Sequence, residues 1–511
     1  MKKSTFILFG IMLLKIVMQF IIISPAYDLH RDEYLYLAEA NHLAFGFIEV
    51  PPVTALFAWL IKLFGNSVFL VKLLPAIFGA LMIAVTWKTV EEIGGNIYAQ
   101  VLASVTLLFS AFLRINMLFQ PNSLDSLCWT FLFFLLIKWI NTRQTKYLYY
   151  FAVSIAFTFL NKYSVIFFIP SLFIALLLSP YRTLFIHKHF YFALLLALLL
   201  ITPNIIWQIQ YGVPFFHHML ALRKDQLENM SRMDFLNDQL LFFIGAIYVV
   251  ITGFFAVLIT YNKKYRIVFL TVFFTFALFI YFKAKGYYAI ALYPVLIAFG
   301  SVAIERFLMK WNSIAVSILR VTFIVIPVLL FVPFFNVAFP VLAPQEIAKN
   351  NEKFADLGML RWEDGENHTL PQDFADMLGW KGLAIKTEKV WNTIPENEKA
   401  NTLIITDNYG EAGAINYYTN GKLTAHSSEA SFALWLPEDM VVKNVISIGD
   451  ASDSTTLSYF HHSIKVDSIT NSYAREYNTG IYILYGANPK FHKDIWLPYV
   501  KESRDFYKYF K

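Results

Sequence analysis

The chain has 511 residues, of which 57% are hydrophobic and only 15% are charged, and its mean hydropathy is +0.52. This composition excludes an ordinary soluble protein and predicts a membrane protein. The net charge of +6 is divided unevenly, because residues 1–339 carry 25 Lys and Arg against 13 Asp and Glu, whereas residues 340–511 carry 17 against 23. The single cysteine, Cys128, excludes an intrachain disulfide, and no part of the chain has the character of a nucleic-acid-binding surface.

Eleven apolar stretches are long enough to cross about 30 Å of hydrocarbon. They fall at residues 5–24, 68–88, 97–118, 122–141, 147–161, 163–180, 189–208, 236–261, 266–282, 287–305 and 313–335. The first one has no small-x-small cleavage site after it, so we interpret it as a retained transmembrane helix rather than a signal peptide. With a cytoplasmic N-terminus, Lys and Arg collect in the cytoplasmic connections, as the positive-inside rule requires.

An odd number of spans places residues 340–511 on the exoplasmic side, together with two long polar loops at 25–66 and 209–235. Because all large polar pieces then share one face, we expect a working site at that membrane surface. The alternative is that the loops only surround a channel. We therefore predict an α-helical transmembrane domain of about 11 helices over 1–339 and a periplasmic α/β domain over 340–511. The second prediction rests on β-branched runs at 402–406, 441–448 and 480–485 and on helix-like pieces at 411–418 and 494–510.

The first polar loop carries acidic residues at helical spacing. Residues 32–45 are expected to form a helix in the membrane interface, with Asp32, Tyr36 and Glu39 along one side. Carboxylates at a lipid boundary are costly unless a cation, a metal or a protonatable substrate offsets them, which makes them candidates for function. The alternative is a solvated acidic loop.

The Asp32-Glu33 pair after the first helix and the Glu49-Val50-Pro51-Pro52 stretch resemble the first loop of lipid-linked-sugar transferases of the GT-C class. The resemblance is to the bacterial proteins of glycosyltransferase family 39, which are similar to protein O-mannosyltransferases and to ArnT-like aminoarabinose transferases. It continues, in the family's order, through Asn161-Lys162-Tyr163, residues 202–208, residues 283–288 and residues 408–414. It thus covers nearly the whole chain.

The resemblance implies an inverting transfer, in which an acceptor hydroxyl attacks the anomeric carbon of a sugar while a polyprenyl phosphate departs. Such chemistry needs a carboxylate to take the acceptor's proton and cations to stabilise the departing phosphate. Asp32 matches the family's acidic residue proposed as base or acceptor-orienting group, and Glu33 is its partner.

The resemblance also implies a divalent metal as a possible cofactor. Glu49 corresponds to a residue that helps hold a metal near the phosphate in the ArnT branch, and His217 or His218 in the second loop could complete that site. In that branch a Lys follows the Glu, whereas this chain has Val50, so one phosphate contact is missing. The alternative is that the adjacent histidines are an amphipathic surface.

Several cations and aromatic side chains are candidates for binding the donor. Lys162, Arg223, Lys283 and Lys285 are predicted at outer helix ends, and we favour Arg223 and Lys285 for the phosphate; the alternative for each is snorkelling to the interface. Tyr36 lies beside Asp32 on the predicted helix. Tyr409 and Glu411 are expected either to close over the sugar or acceptor or to form a structural turn.

The leading hypothesis is an inner-membrane glycosyltransferase that moves a sugar from a polyprenyl-phosphate carrier to an envelope acceptor, which is a lipid, a glycan or a protein. A lipid-linked donor is favoured because the chain lacks a phosphate-binding loop and any cytoplasmic segment that could form a nucleotide-sugar fold. The partners are then the bilayer, the lipid-linked donor and the acceptor. Two alternatives stay open: a transporter or flippase of lipid-linked glycan, and a non-catalytic relative that binds glycan.

Overall fold

The computed structural model describes residues 3–222, 231–260, 262–311 and 313–509. Its first half is a helical bundle with short helices between the long ones. These helices are α1 (Lys3–Ile21), α2 (Arg31–Glu39), α3 (Val53–Leu63), α4 (Val68–Glu92), α5 (Ile97–Leu108), α6 (Phe112–Ile115), α7 (Pro121–Thr142), α8 (Lys146–Asn161), α9 (Val165–Leu177), α10 (Lys188–Gln210), α11 (Pro214–Leu222), α12 (Arg232–Leu241), α13 (Ile247–Phe255), α14 (Asn262–Tyr281), α15 (Tyr293–Leu308) and α16 (Ile314–Phe331).

Within the described ranges, seven helical segments are long and apolar enough to cross a membrane, and a bent pair made of α9 and the 3₁₀ turn Pro180–Ile186 brings the number to eight. The seven are α1, α4, α7, α10, α14, the segment Gly286–Leu308 that ends with α15, and the segment Ile314–Ala338 that begins with α16. The other three predicted stretches contain the shorter helices α5, α8 and α13. Each predicted span therefore contains a helix, and the protein is a multi-pass membrane protein.

Two predicted spans are shorter in the structure than the hydropathy suggested. The stretch 97–118 leaves its helix at Leu108 and turns through α6, and the stretch 236–261 is divided into α12 and α13. Arg114 lies in α6, and Asp238 lies in α12 about one turn before the second break; both side chains line a cavity described below. Hydropathy averaged over a long stretch of sequence hides a single charged residue, whereas in the structure these side chains line the cavity.

The C-terminal part is built around a five-stranded sheet of order β2-β1-β3-β5-β4. The strands are β1 (Thr402–Thr406), β2 (Ala425–Ser427), β3 (Asn444–Gly449), β4 (Phe460–Ser468) and β5 (Gly480–Ala487). The first three are parallel, with Leu403 opposite Val445, and β5 is antiparallel to both β3 and β4. The helices are α17 (Phe335–Ala338), α18 (Pro344–Lys349), α19 (Glu352–Asp356), α20 (Gln372–Ala375), α21 (Trp380–Trp391), α22 (Glu396–Lys399), α23 (Tyr409–Tyr418), α24 (Ser454–Leu457) and α25 (Leu497–Phe506). The α/β prediction is confirmed, although β2 and β4 were not foreseen.

The two parts share one hydrophobic core. Tyr34 and Leu35 of α2 lie in the same buried cluster as Trp380, Ile404 and Ile415 of the C-terminal part. Helix α23, which crosses over from β1 to β2, packs directly on α2. A Cβ at Gly413 would lie 2.7 Å from Cβ of Tyr34, so this close approach of the two helices requires glycine. Because apolar surface is removed from water on both sides, α2 and the C-terminal part stabilise each other.

Candidate active site

Asp32 stands in the first turn of α2, and the local sequence explains why the helix starts there. The side chain of His30 accepts a hydrogen bond from the Asp32 backbone N–H, and the Glu33 carboxylate accepts one from the His30 backbone N–H. This reciprocal capping satisfies N–H groups that a helix start leaves without partners. Two backbone bonds, from the N–H groups of Asp28 and Arg31 to the carbonyls of Met377 and Asp376, attach the same segment to the C-terminal part. Asp32 is therefore held at the junction of the two parts.

Both carboxylate oxygens of Asp32 are positioned by a neutral donor. The Tyr409 hydroxyl donates to Oδ1 at 2.8 Å, and the Gln120 side-chain amide donates to Oδ2 at 3.0 Å. Each oxygen keeps a second lone pair, so the carboxylate is oriented but can still accept a proton. Tyr409 comes from α23 and Gln120 from the segment after α6, so residues far apart in sequence meet at Asp32.

Glu33, the neighbouring acid, has a different environment. It is fully buried and forms an ion pair with Lys72, with 2.9 Å between Nζ and Oε2, and its Oε1 accepts the Phe119 backbone N–H at 2.8 Å. A buried carboxylate with these partners fixes α2 against α4 and the segment after α6. Glu33 does not line the cavity, so its contact with the site is structural support of Asp32.

A cavity of about 1010 Å³ lies between the helical bundle and the C-terminal part, and Asp32 lines it. Tyr36, one turn after Asp32, also lines it. Glu39, two turns after, is buried, and neither of its carboxylate oxygens has a hydrogen-bond partner among the described residues. Burial, together with the nearby Glu49, raises the pKa of Glu39 well above its ordinary value. In its neutral form Glu39 avoids the cost of burying a charge. This removes the energetic cost that an ionised carboxylate would carry at the membrane interface.

The predicted phosphate-binding cations differ in their positions and partners. Lys285 lines the cavity, and its ammonium makes no hydrogen bond or ion pair with a described residue. Lys162 lies behind the cavity surface, where its Nζ donates to Asn122 at 2.5 Å and sits 4.5 Å from the centre of the Tyr288 ring. Arg223 lies outside the described residues. Among the described members of this set, Lys285 is thus the cavity-lining cation that is free to bind an anion.

The predicted metal ligands are divided between two places. Glu49 and His218 line the cavity, whereas His217 points to a second cavity, where its ring lies 4.7 Å from that of Phe506. Both oxygens of Glu49 accept hydrogen bonds from Ser431, from its N–H at 2.5 Å and its hydroxyl at 2.7 Å. Burial raises the pKa of Glu49 to about 7. Glu49 and His218 offer two donors, one fewer than the three protein ligands usual in a catalytic zinc site.

Sequence reasoning missed a group with metal-like spacing, formed by His30, Asp373 and Asp376, whose donor atoms lie within 4.8 Å of one another. The hydrogen bonds of His30 argue against a metal there. Its Nδ1 accepts the Asp32 N–H, so a neutral ring carries its proton on Nε2, which faces Asp376 at 3.9 Å. A metal at Nε2 would have to displace that proton, so the donor set fits an ion pair better.

The stretch at residues 408–414 places one of its two candidate residues in the cavity. Tyr409 lines it and reaches Asp32, while Glu411 is buried and accepts the Asn408 N–H at 3.3 Å as the reciprocal cap of α23. Burial, with Glu476 adding to it, raises the pKa of Glu411 well above its ordinary value. Helix α23 starts at the carboxyl end of the parallel strand β1, the edge where α/β sheets place ligand-binding loops.

Other lining residues were not foreseen. Asp238, Arg114, Asp376 and Arg475 all line the cavity. Asp238 is on α12, and a Cβ at Gly286 would lie 2.2 Å from its Oδ2, so the glycine makes room for this carboxylate. The only sequence signal for Asp238 and Arg114 was a charge inside an apolar stretch. Asp376 and Arg475 lie in the C-terminal part, where charge is ordinary and carried no signal.

The fold resembles two groups of solved structures. ArnT from Cupriavidus metallidurans, solved bound to undecaprenyl phosphate, superposes with a TM-score of 0.62 at 13% sequence identity, over 94% of this chain and 97% of that one. The archaeal oligosaccharyltransferase AglB from Archaeoglobus fulgidus, in complex with an inhibitory peptide and a dolichol-phosphate, superposes with a TM-score of 0.50 at 11% identity, over 88% of this chain and 70% of that one. At these identities the likeness shows the fold.

The sequence itself adds a family match. Residues 49–207 match the model of the dolichyl-phosphate-mannose-protein mannosyltransferase family. No curated protein matches the sequence. The matched segment runs from Glu49 to Trp207 and includes Gln120 and Lys162 of the region described above. The resemblance inferred from the first loop is confirmed: the chain is a multi-pass membrane protein with the GT-C glycosyltransferase fold, carrying the mannosyltransferase family's pattern over residues 49–207.

Proposed function

We propose that the protein transfers a sugar from a polyprenyl-phosphate carrier to an acceptor hydroxyl, with inversion at the anomeric carbon. The observation that carries this proposal is that a positioned carboxylate, Asp32, and a cation without an ion-pair partner among the described residues, Lys285, lie on the wall of one cavity of about 1010 Å³. A base and an anion-binding cation are the two groups that such a transfer needs.

The chemistry divides between these two side chains. The acceptor oxygen forms a bond to the anomeric carbon while the bond from that carbon to the phosphate oxygen breaks. Asp32 takes the acceptor's proton, and Tyr409 and Gln120 hold its carboxylate in place. The carrier leaves as a phosphate monoester with one more negative charge than it had in the diester. Lys285, on the cavity wall, offsets that charge.

A divalent ion held by Glu49 and His218 would supply further stabilisation of the phosphate, and Lys285 offers the same stabilisation without it. We expect transfer to continue after dialysis against a chelator. Transfer could instead be lost on chelation and recover when one metal is added, with no recovery in a Glu49→Gln variant. That result would show that a metal takes part in the reaction.

The experiment that tests the proposal uses proteoliposomes and a panel of radiolabelled undecaprenyl-phosphate sugars, and it follows the release of undecaprenyl phosphate. We expect release with at least one sugar, and we expect Asp32→Asn to lower it about 10²–10⁴-fold. The matched control is Asp356→Asn, which removes a carboxylate that is exposed on α19. Absence of release with every sugar, from folded protein supplied with envelope extract, would favour a transporter or a glycan-binding protein.

We also propose that residues 340–511 lie in the periplasm and the N-terminus in the cytoplasm of the inner membrane. The support is the charge difference between the two parts of the chain and the positive connections between the helices. The only cysteine, Cys128, is buried, so a cysteine introduced at exposed Asp356 can be labelled selectively in intact cells. Labelling by a membrane-impermeant maleimide is expected; labelling only after lysis would reverse the orientation.

A further inference from the structure

The charges on the cavity wall are unequal in number. Among the described residues that line it, seven are carboxylates and four are permanent cations. The carboxylates are Asp32, Glu49, Asp238, Glu363, Asp373, Asp376 and Glu429, and the cations are Arg31, Arg114, Lys285 and Arg475. The wall is therefore net negative, although one substrate of the proposed reaction is a phosphate ester.

Three of the four cations are already paired with carboxylates of the wall. Arg31 lies 3.5 Å from Glu429, Arg114 donates to Asp373, and Arg475 lies 3.2 Å from Asp376. Arg31 is further held over the ring of Tyr409, with 4.6 Å from its guanidinium carbon to the ring centre. We call these three pairs the arginine seam, because the first two join the helical bundle to the C-terminal part.

The seam leaves Lys285 as the one lining cation without a hydrogen bond or ion pair to a described residue. The departing phosphate of the donor needs that cation. An acceptor with its own phosphate or carboxylate next to the reacting hydroxyl would then find no unpaired cation among the described lining residues, and it would face the excess of carboxylates there. In a cleft of reduced dielectric constant, that arrangement repels an anion by enough to slow its reaction tenfold or more.

The seam side of the cavity suits a sugar in other respects. It offers hydrogen-bond acceptors in Glu363 and Asp376, the amide of Gln372, and the phenol rings of Tyr409 and Tyr507. Sugars present several hydroxyls that both donate and accept, together with apolar ring faces that pack on aromatic side chains. An extended peptide would instead present mainly backbone groups, for which a free strand edge is the usual partner.

We propose that the acceptor is an uncharged sugar of an envelope glycan or glycolipid, and that the arginine seam selects against acceptors carrying an anionic group. This inference rests on the proposed function, since it assigns the other substrate of the same cavity. The base supports it: Asp32 is needed to take a proton from an alcohol, whereas an already ionised phosphate nucleophile needs no base.

The test compares two acceptors that differ in one group. Octyl β-glucoside carries a neutral CH₂OH at C6, and octyl β-glucuronide carries a carboxylate there, while the other ring hydroxyls are the same. The donor is the undecaprenyl-phosphate sugar that gives Asp32-dependent release. We expect transfer to the glucoside to be at least about tenfold faster than to the glucuronide. Equal rates, faster transfer to the glucuronide, or transfer to a neutral Ser-containing peptide in preference to the glucoside would overturn the inference.

A variant of the seam makes the test sharper. Glu429→Gln removes one carboxylate and frees Arg31, so the ratio of glucuronide to glucoside transfer should rise several-fold, whereas Asp356→Asn should leave the ratio unchanged. An unchanged ratio in Glu429→Gln would contradict the assignment of selectivity to the seam. Asp32-dependent release of undecaprenyl phosphate with no transfer to either glycoside would overturn this inference while the proposed function stands. Absence of any release would overturn both.

Discussion

Two regions of the same cavity use charge in opposite ways. Around Asp238, Lys285 and Gly286, which we call the Lys285 region, charged side chains have no ion-pair partner among the described residues. Along the arginine seam, every guanidinium has a carboxylate within about 3.5 Å or less. Charges in the first region are available to a substrate, whereas charges in the second hold two parts of the protein together. The comparison shows that a lining cation is a candidate ligand only after its partners are known.

The largest effect is expected at the adjacent acids of α2, Asp32 and Glu33. Asp32 is open to the cavity, as in the Lys285 region, whereas Glu33 is held in an ion pair, as in the arginine seam. Asp32→Asn should lower transfer about 10²–10⁴-fold with little change in melting temperature, because its carboxylate faces the cavity. Glu33→Gln should instead destabilise the protein, by about 3–5 kcal/mol, because it leaves Lys72 buried without its partner. Transfer assays and thermal unfolding of both variants in the same detergent measure the two effects. Similar stability loss in both variants would remove the distinction between them.

The next effect separates the Lys285 region from the seam directly. Lys285→Ala should weaken binding of undecaprenyl phosphate about 10–100-fold, because one charge-assisted hydrogen bond to the phosphate is lost. Arg475→Ala is the matched control: it removes a lining cation that is already paired with Asp376. We expect it to change carrier binding less than threefold. Binding is measured with radiolabelled carrier in nanodiscs, and equal losses in both variants would show that the seam also binds phosphate.

A smaller effect is expected at Tyr409, which contacts both Arg31 of the arginine seam and Asp32, the proposed base. Tyr409→Phe removes the hydroxyl that donates to Asp32 and leaves the ring under Arg31 in place. The turnover number should fall about 2–10-fold, as for the loss of one neutral hydrogen bond, while the KM for the donor stays unchanged. A change in KM alone would assign the hydroxyl to substrate binding.

The smallest effect concerns His426, whose pKa is affected by nearby His42. Burial, with His42 adding to it, lowers the pKa of His426 from 6.5 to about 4. Between these values the unfolded chain binds more protons than the folded one, so the folded state should lose stability as the pH falls from about 6.5 to 4. The melting temperature should drop by a few degrees over this window, and His426→Asn should flatten the profile. An identical profile in the variant would place the acid sensitivity elsewhere.

The helical part of the fold was predictable because hydropathy and length report directly on membrane helices. All eleven stretches contain a helix, and the two spans that are shorter than predicted contain Arg114 and Asp238, whose charges are averaged into an apolar window. Strand β4 was missed for a related reason. Six of its nine residues are exposed, so it has no buried face whose alternation would mark it as a strand.

The sequence predicted several residues that meet at the cavity, but not how each of them is paired. Asp32, Tyr36, Glu49, Lys285 and Tyr409 all line the cavity, as the first-loop pattern and the resemblance suggested. Glu33 differs because its partner, Lys72, is 39 positions away, and no local pattern indicates such a pairing. The arginine seam depends on contacts across more than 200 residues for Arg31 and Arg114. Pairing of this kind is decided by tertiary structure, so composition and spacing cannot report it.

The close packing of α23 on α2 has a consequence for how the protein matures. The ribosome completes α2 about 370 residues before it begins α23, yet Tyr409, about a third of the cavity-lining residues and the partners of Arg31 and Arg114 all come from residues 340–511. A chain whose synthesis stopped earlier would carry Asp32 without the C-terminal residues that complete the cavity around it. The cavity around Asp32 is therefore complete only when the C-terminal part has folded against α2.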